Sequence, residues 1–383
     1  MDFTIQDYDL RNAFCLERKL LLVVGFYPIR GNKYKFLYRL SAFFNLLISY
    51  GQLTTMVIQM VFDRSDLSKL TESLLYFFTH FTFLCKLLNF QYYSKDLIEI
   101  ENYLTDPIFY GHPFEEVQII KDKISSCAFI SNAYRLCCTF TCSFYCLVPF
   151  IDEKRKKILP LPGWFPYDTT SHYYFTFFVQ SLSLFISAYC NTAIDILTWK
   201  LVTLASAQFE ILKENLTKID YEGSFHDTKR ALVRCITHHA KIVYYTERVE
   251  AIFSKGIFLQ LFGSVIVICT TLFQLIVVPV PSVQFAVLGT YLCGMTTQVA
   301  TYCYYGHEVM TTSDAIGISL YMSNWYACHS KIRKIVMIFL EKTKKPTIIK
   351  AANFITLSLA TLTQILRSAY SYFAVLQRLY KDS

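Results

Sequence analysis

Seven long, mostly apolar runs are spread along the whole of this 383-residue chain, at Leu40–Phe62, Leu70–Tyr93, Ile124–Phe150, Tyr173–Leu197, Ile257–Val280, Phe285–Tyr305 and Ala351–Leu376. A helix needs about 20 such residues to cross the hydrocarbon of a bilayer. The pattern therefore predicts an all-α membrane protein with seven transmembrane helices. The second and seventh runs are among the least pure, because Lys86 and Arg367 lie inside them. The shorter apolar run 20–27 follows a charged start and stops at Pro28 without a small-residue cleavage site, so the N-terminus is expected to stay attached.

The net charge of +8 does not point to nucleic acid, since Lys and Arg are distributed among the loops and form no stripe with aromatics. Their distribution sets orientation instead. With the N-terminus inside, segments 1–39, 94–123, 198–256 and 306–350 carry 26 Lys and Arg, against 8 in segments 63–69, 151–172, 281–284 and 377–383. The positive-inside rule then predicts a cytosolic N-terminus and an outer C-terminus. None of the 13 cysteines falls in a predicted outer loop, so no extracellular disulfide framework is implied. Cys137, Cys138, Cys142 and Cys146 have helical spacing that suits packing in a membrane helix better than metal binding. The sequon at Asn215 falls on the predicted inner side.

The inner segments 198–256 and 306–350 carry helical periodicity, with Leu212, Leu216 and Ile219 on one face. The fourth to sixth helices are expected to run below the bilayer and pack with a cytosolic helix that ends before Pro346. The outer loop Lys157–Asp168, with three prolines and a Trp-Phe pair, is stiff; it is either a lid over a cavity or an interfacial anchor through Trp164.

In the last run, Thr361, Gln364, Ser368, Ser371, Val375 and Arg378 recur at spacings of 3 and 4 and share one helix face. Polar groups in hydrocarbon must face water or protein. A pore shared between subunits satisfies them, and so do hydrogen bonds to the helix's own carbonyls. Lys86, Arg135 and Asp195 lie within spans, where pairing or snorkelling is expected ahead of proton relay. There is no phosphate-binding Gly loop, HExxH, paired CxxC or Gly-x-Ser-x-Gly elbow, and the adjacent His238 and His239 point about 100° apart on a helix. No enzymatic activity, metal or cofactor is expected.

The stretch "CYYGHEVMTTSDAIGISLYMSNWY", with Cys303, Gly306, Ser313, Tyr321, Trp325 and Tyr326, and the following "KKPTIIKAANFITLSLATLTQILRSAYSYFAVL" resemble the insect odorant receptor family. "GFYP" at 25–28, "LPLPGWFPYD" and "CITHHAKIVYYTERVEAIF" at 235–253 extend the resemblance over essentially the whole chain. Lys350, Ala352 and Asn353 stand where the family tends to have Thr, Gly and Lys.

The resemblance implies an odorant-gated, non-selective cation channel in the plasma membrane of olfactory sensory neurons. The resemblance also implies a heterotetramer with the co-receptor Orco and an inside N-terminus. On that reading 1–383 is one domain: a cytosolic segment 1–39, helices one to four in 40–197, a cytosolic helical extension 198–256, helices five and six in 257–305, an anchor helix in 306–350, and the pore helix with a short outer tail in 351–383. Thr361, Gln364, Ser368 and Ser371 would line the pore, Val375 and Arg378 would form its outer gate, and Trp325 and Tyr326 would sit in the subunit anchor. Family pockets lie between helices two, three, four and six. There the resemblance points to Phe77, Phe78, His80 and Phe81, to Phe144 and Tyr145, to Phe175, Phe178 and Ser181, and to Tyr291. Only part of this set is expected to touch a small hydrophobic odorant, with His80, Ser181 and Tyr291 able to donate a hydrogen bond. A gustatory-type channel subunit is the nearest alternative. A G-protein-coupled receptor is opposed by the predicted orientation, and a transporter by the lack of inverted repeats.

Overall fold

The computed structural model describes residues 9–29, 35–109, 113–151, 159–280 and 282–382. Seven long helices coincide with the predicted spans: α2 (Lys35–Phe62), α3 (Leu67–Tyr92), α5 (Phe114–Ile151), α6 (Tyr173–Thr217), α7 (Phe225–Val277), α8 (Val283–Met322) and α10 (Leu359–Asp382). Three shorter ones, α1 (Cys15–Val24), α4 (Ser94–Tyr103) and α9 (Ser330–Thr343), flank them. Asp66 caps α3 by accepting from the Ser68 and Lys69 amides, and Ser282 caps α8 through the Phe285 amide.

Among the described residues, four helices, containing α2, α5, α6 and α7, are long and apolar enough by composition alone to cross a membrane. The other three long helices carry polar side chains turned towards protein or exposed on one face: Lys86 on α3 and Gln298 on α8 are buried, while Gln364, Ser368 and Ser371 on α10 are exposed. Phe43, Phe44 and Leu47 on α2, Phe129, Leu136 and Phe140 on α5, and Phe175 and Phe178 on α6 are exposed apolar side chains that suit a lipid surround.

At 1.5 Å per residue, helices α6, α7 and α8, of 45, 53 and 40 residues, are roughly 68, 80 and 60 Å long. That is about twice the hydrocarbon thickness, so all three run well beyond it. The inner half of α6 is the core of the projecting part: Trp199, Leu204, Phe209, Leu212 and Leu216 are fully or almost fully buried. Helix α9 docks there through Val336 and Phe339, as the periodicity predicted, and ends before Pro346. His238 and His239 diverge as expected: His238 Nε2 lies 2.9 Å from Gln208 Oε1, whereas the His239 ring meets Phe339 edge to face.

Helix α1 is held by Glu17, a fully buried carboxylate 2.7 Å from Arg135 Nη2 and 2.9 Å from Lys200 Nζ. This accounts for Arg135 inside a span. The base of α10 is a two-stranded antiparallel hairpin, β1 (Lys350–Ala351) and β2 (Ile355–Thr356), with Lys350 opposite Thr356. Its turn places Ala352 and Asn353 at φ of 48° and 62°. Ser254 of α7 clamps the hairpin: Ser254 Oγ donates to the Lys350 carbonyl at 2.8 Å and accepts from the Ala352 amide at 2.7 Å. Leu357, just beyond, lies so close to Gly306 of α8 that a Cβ added there would sit 2.3 Å from the Leu357 Cβ. Only glycine admits that approach.

Candidate functional site

An apolar cavity of about 110 Å³ lies between α2, α3, α5, α6 and α8, with Leu161 of the α5–α6 loop on one side. On this measure one water needs about 10–15 Å³, so there is room for one small organic molecule. Helix α3 contributes Tyr76, Thr79, His80 and Phe83, positions that share one face. Helix α5 brings Tyr134, Cys138, Thr141, Cys142 and Tyr145; α6 brings Leu184, Ser187, Ala188, Asn191 and Thr192; α8 brings Tyr291, Gly294 and Met295; and Met56 comes from α2.

Few polar groups face this space, and most are already engaged. His80 Nε2 is 2.9 Å from the Ser49 carbonyl, the Tyr291 hydroxyl pairs with Thr79 Oγ1, and Ser187 Oγ donates to its own helix carbonyls. Among the described residues two are exceptions, the Asn191 side-chain oxygen and the Tyr145 hydroxyl, each buried without a hydrogen-bond partner. An unpaired buried acceptor costs about 1–3 kcal/mol, which a donor on a bound molecule recovers.

The cavity wall reaches α10 directly. Met295 and Tyr291 on α8 pack in a cluster with Val267 and Ile268 of α7 and with Leu366 and Ala369 of α10. On α10, Gln364, Ser368, Ser371, Val375 and Arg378 are exposed on the single chain, while Ile365 and Ala369 are buried against the helix bundle. Thr361 differs from the rest of the stripe: it is turned inward and its Oγ1 donates to the Thr356 carbonyl at 2.6 Å.

The family profile described as "7tm Odorant receptor" matches residues 66–370. The chain belongs to the odorant receptor family. It is 27% identical to odorant receptor Or1 of Anopheles gambiae over 98% of this chain and 97% of that protein. It is 26% identical to odorant receptor 85c of Drosophila melanogaster over 70% and 72%. Its fold is that of the olfactory receptor OR5 of Machilis hrabei, with a TM-score of 0.85 at 16% identity over 97% of this chain and 98% of that one; in complex with eugenol the TM-score is 0.83 at 15% identity.

The odorant receptor brings three of the ten expected site residues, His80, Tyr145 and Tyr291, to the cavity. Seven are elsewhere. Phe77 and Phe81 stack on each other with centroids 5.7 Å apart, on the α3 face next to the one that lines the space. Phe78 packs against the cluster that reaches α10. Phe144 packs beside Phe140, and Ser181 accepts from Cys146 Sγ at 3.4 Å. Phe175 and Phe178 are 66% and 64% exposed and point outward, because the α6 face that lines the cavity begins deeper, at Leu184.

Trp325 is half-buried against the inner core, whereas Tyr326 is exposed close in sequence to the exposed Tyr321 and Met322. In the outer loop both sequence readings have a residue. Leu161 closes the cavity, and Trp164 is partly exposed and stacked on Phe62.

Proposed function

We propose that this receptor binds a small, mainly apolar odorant in the cavity between α3, α5, α6 and α8 and thereby gates a non-selective cation channel formed with Orco. The observation that carries the reading is the cavity itself: an apolar space between the helices with the unpartnered Asn191 amide oxygen on its wall, whose wall residue Met295 shares a packed cluster with Ala369 of α10. Burial of the odorant supplies about 25 cal/mol per Å² of apolar area. The Asn191 oxygen favours odorants that carry a hydroxyl. Repacking of Met295 and Tyr291 around the ligand then bears on α10, and the hairpin held by Ser254 and the close contact at Gly306 serve as its hinge.

The membrane is the plasma membrane of an olfactory neuron, with the N-terminus inside as the bias of 26 inner to 8 outer cations supports. Four chains surround a central path faced by Gln364, Ser368, Ser371, Val375 and Arg378, and Trp325 and Tyr326 belong to the inner anchor between subunits. Guanidinium groups a few Å apart repel by about 4 kcal/mol at an effective dielectric of about 20, so four copies of Arg378 at the mouth oppose cation flow. Mixing with Orco dilutes that ring. Replacing Tyr291 by Ala tests the site. It is expected to reorder odorant potencies while a direct Orco agonist still evokes full current; equal loss of both responses makes Tyr291 a structural residue only.

A further inference from the structure

A second chamber of about 370 Å³ adjoins the apolar cavity on its outer side. Its wall is different in kind: Gln59, Glu72, Thr169 and Gln284 are half-buried polar side chains there, facing the loop segment 159–163. The two spaces share Tyr76, Tyr145 and Leu161, and these three side chains are the partition between them. The two tyrosine rings meet edge to face with centroids 5.6 Å apart, and Leu161 closes the remaining gap.

The loop that carries Leu161 is held in register. The Gln180 side-chain amide donates to the Leu161 carbonyl at 3.1 Å, and its oxygen accepts from the Leu161 amide at 3.3 Å. Three residues on, the Trp164 amide donates to the Thr55 carbonyl at 3.1 Å. A Cβ at Gly163 would meet Thr55 Oγ1 at 2.9 Å, so the backbone there lies against α2. The backbone of the partition is thus fixed, while the closure itself is made of ring edges and one aliphatic side chain. Such contacts are individually weak and yield to side-chain rotation.

We propose that the outer chamber is a water-accessible antechamber through which odorants reach the apolar cavity, with Tyr76, Tyr145 and Leu161 as its inner door. It receives small neutral molecules with one hydrogen-bonding group, which the Gln284 amide and the Gln59 side-chain oxygen hold while the apolar part passes the door; the Gln59 nitrogen is already engaged with the Asp63 carboxylate. The inference rests on the apolar cavity being the odorant site. For odorants that enter and leave by this route, a barrier on it changes association and dissociation by the same factor and leaves the equilibrium constant untouched.

The experiment uses the full chain with Orco, carrying Gln284→Cys or Thr169→Cys, and compares each variant with itself before and after treatment with a small charged methanethiosulfonate reagent. Wild type treated alike accounts for native cysteines, and labelling is read by mass spectrometry. Labelling is expected to slow onset and washout of odorant current together, by about threefold to tenfold, with the half-maximal concentration unchanged. Labelling without change in either rate overturns the proposal in favour of access through the lipid. So does a shift in half-maximal concentration at unchanged onset, and so does failure of both positions to label from the outer side. Absence of odorant current in wild type, in contrast, refutes the odorant site itself.

Discussion

Lys86 Nζ of α3 lies 2.6 Å from Asp195 Oδ1 of α6, with the two side chains 3% and 0% exposed. Tyr302 Oη donates to the same carboxylate oxygen at 2.6 Å, and the Gln298 amide donates to the other. Gln260 of α7 extends the chain by donating to Gln298 Oε1 at 2.8 Å. Two charges deep in a helix bundle are tolerated only when their partners are supplied in this way. Asn191 and Thr192, which line the cavity, precede Asp195 by one helical turn, so the network lies one turn of α6 from the cavity wall.

Lys86→Met leaves a buried carboxylate without its counter-charge, a change that costs about 3–5 kcal/mol. The purified channel is expected to unfold at lower temperature and to reach the cell surface poorly. Combining it with Asp195→Leu removes both charges and restores part of the loss, because the Tyr302 hydroxyl and the Gln298 amide then lose their acceptor. Wild-type thermal stability in the single variant means that the pair does not hold these helices.

Asn191→Leu keeps the number of side-chain heavy atoms while deleting the unpartnered amide oxygen and leaving the Tyr145 hydroxyl in place. Responses to a primary alcohol are expected to weaken by about tenfold relative to its methyl ether, the equivalent of one hydrogen bond of about 1.4 kcal/mol. Dose–response curves for the pair measure this. An unchanged potency ratio means that the Asn191 oxygen does not meet the odorant.

Ala352 occupies the left-handed region at φ 48°, where a side chain costs about 1–2 kcal/mol. Ala352→Gly is expected to relieve that strain and stabilise the hairpin at the base of α10, seen as a higher unfolding temperature and a shifted resting open probability. No change in either shows that the hairpin does not bias the gate.

The helices were legible because seven apolar runs and the inner periodicity are one-dimensional signals. The site was only partly so. With 28 Tyr and 33 Phe in the chain, aromatics occur on every helix face and do not mark which one looks inward. On α3 the inward face is set by His80 together with Tyr76, Thr79 and Phe83, about 100° from the Phe77 and Phe81 side. The better marker was small and polar residues at helical spacing, Ser187 with Asn191 on α6 and Cys138 with Thr141 on α5. Lys86 and Asp195 stood out singly as charges inside spans, but 109 residues separate them and only the fold pairs them.

On the function proposed above, this chain supplies the odorant-binding part of a cation channel that needs Orco. Whole-cell current should be recorded from cells expressing this chain alone, Orco alone, and both, during exposure to volatile esters, terpenes, alcohols and aromatics. Odorant-evoked cation current is expected from the pair, little from this chain alone, and responses of Orco alone only to its direct agonist. Robust odorant current from this chain by itself contradicts the need for Orco, and a pair that responds to the Orco agonist but to no odorant contradicts the assignment of the cavity.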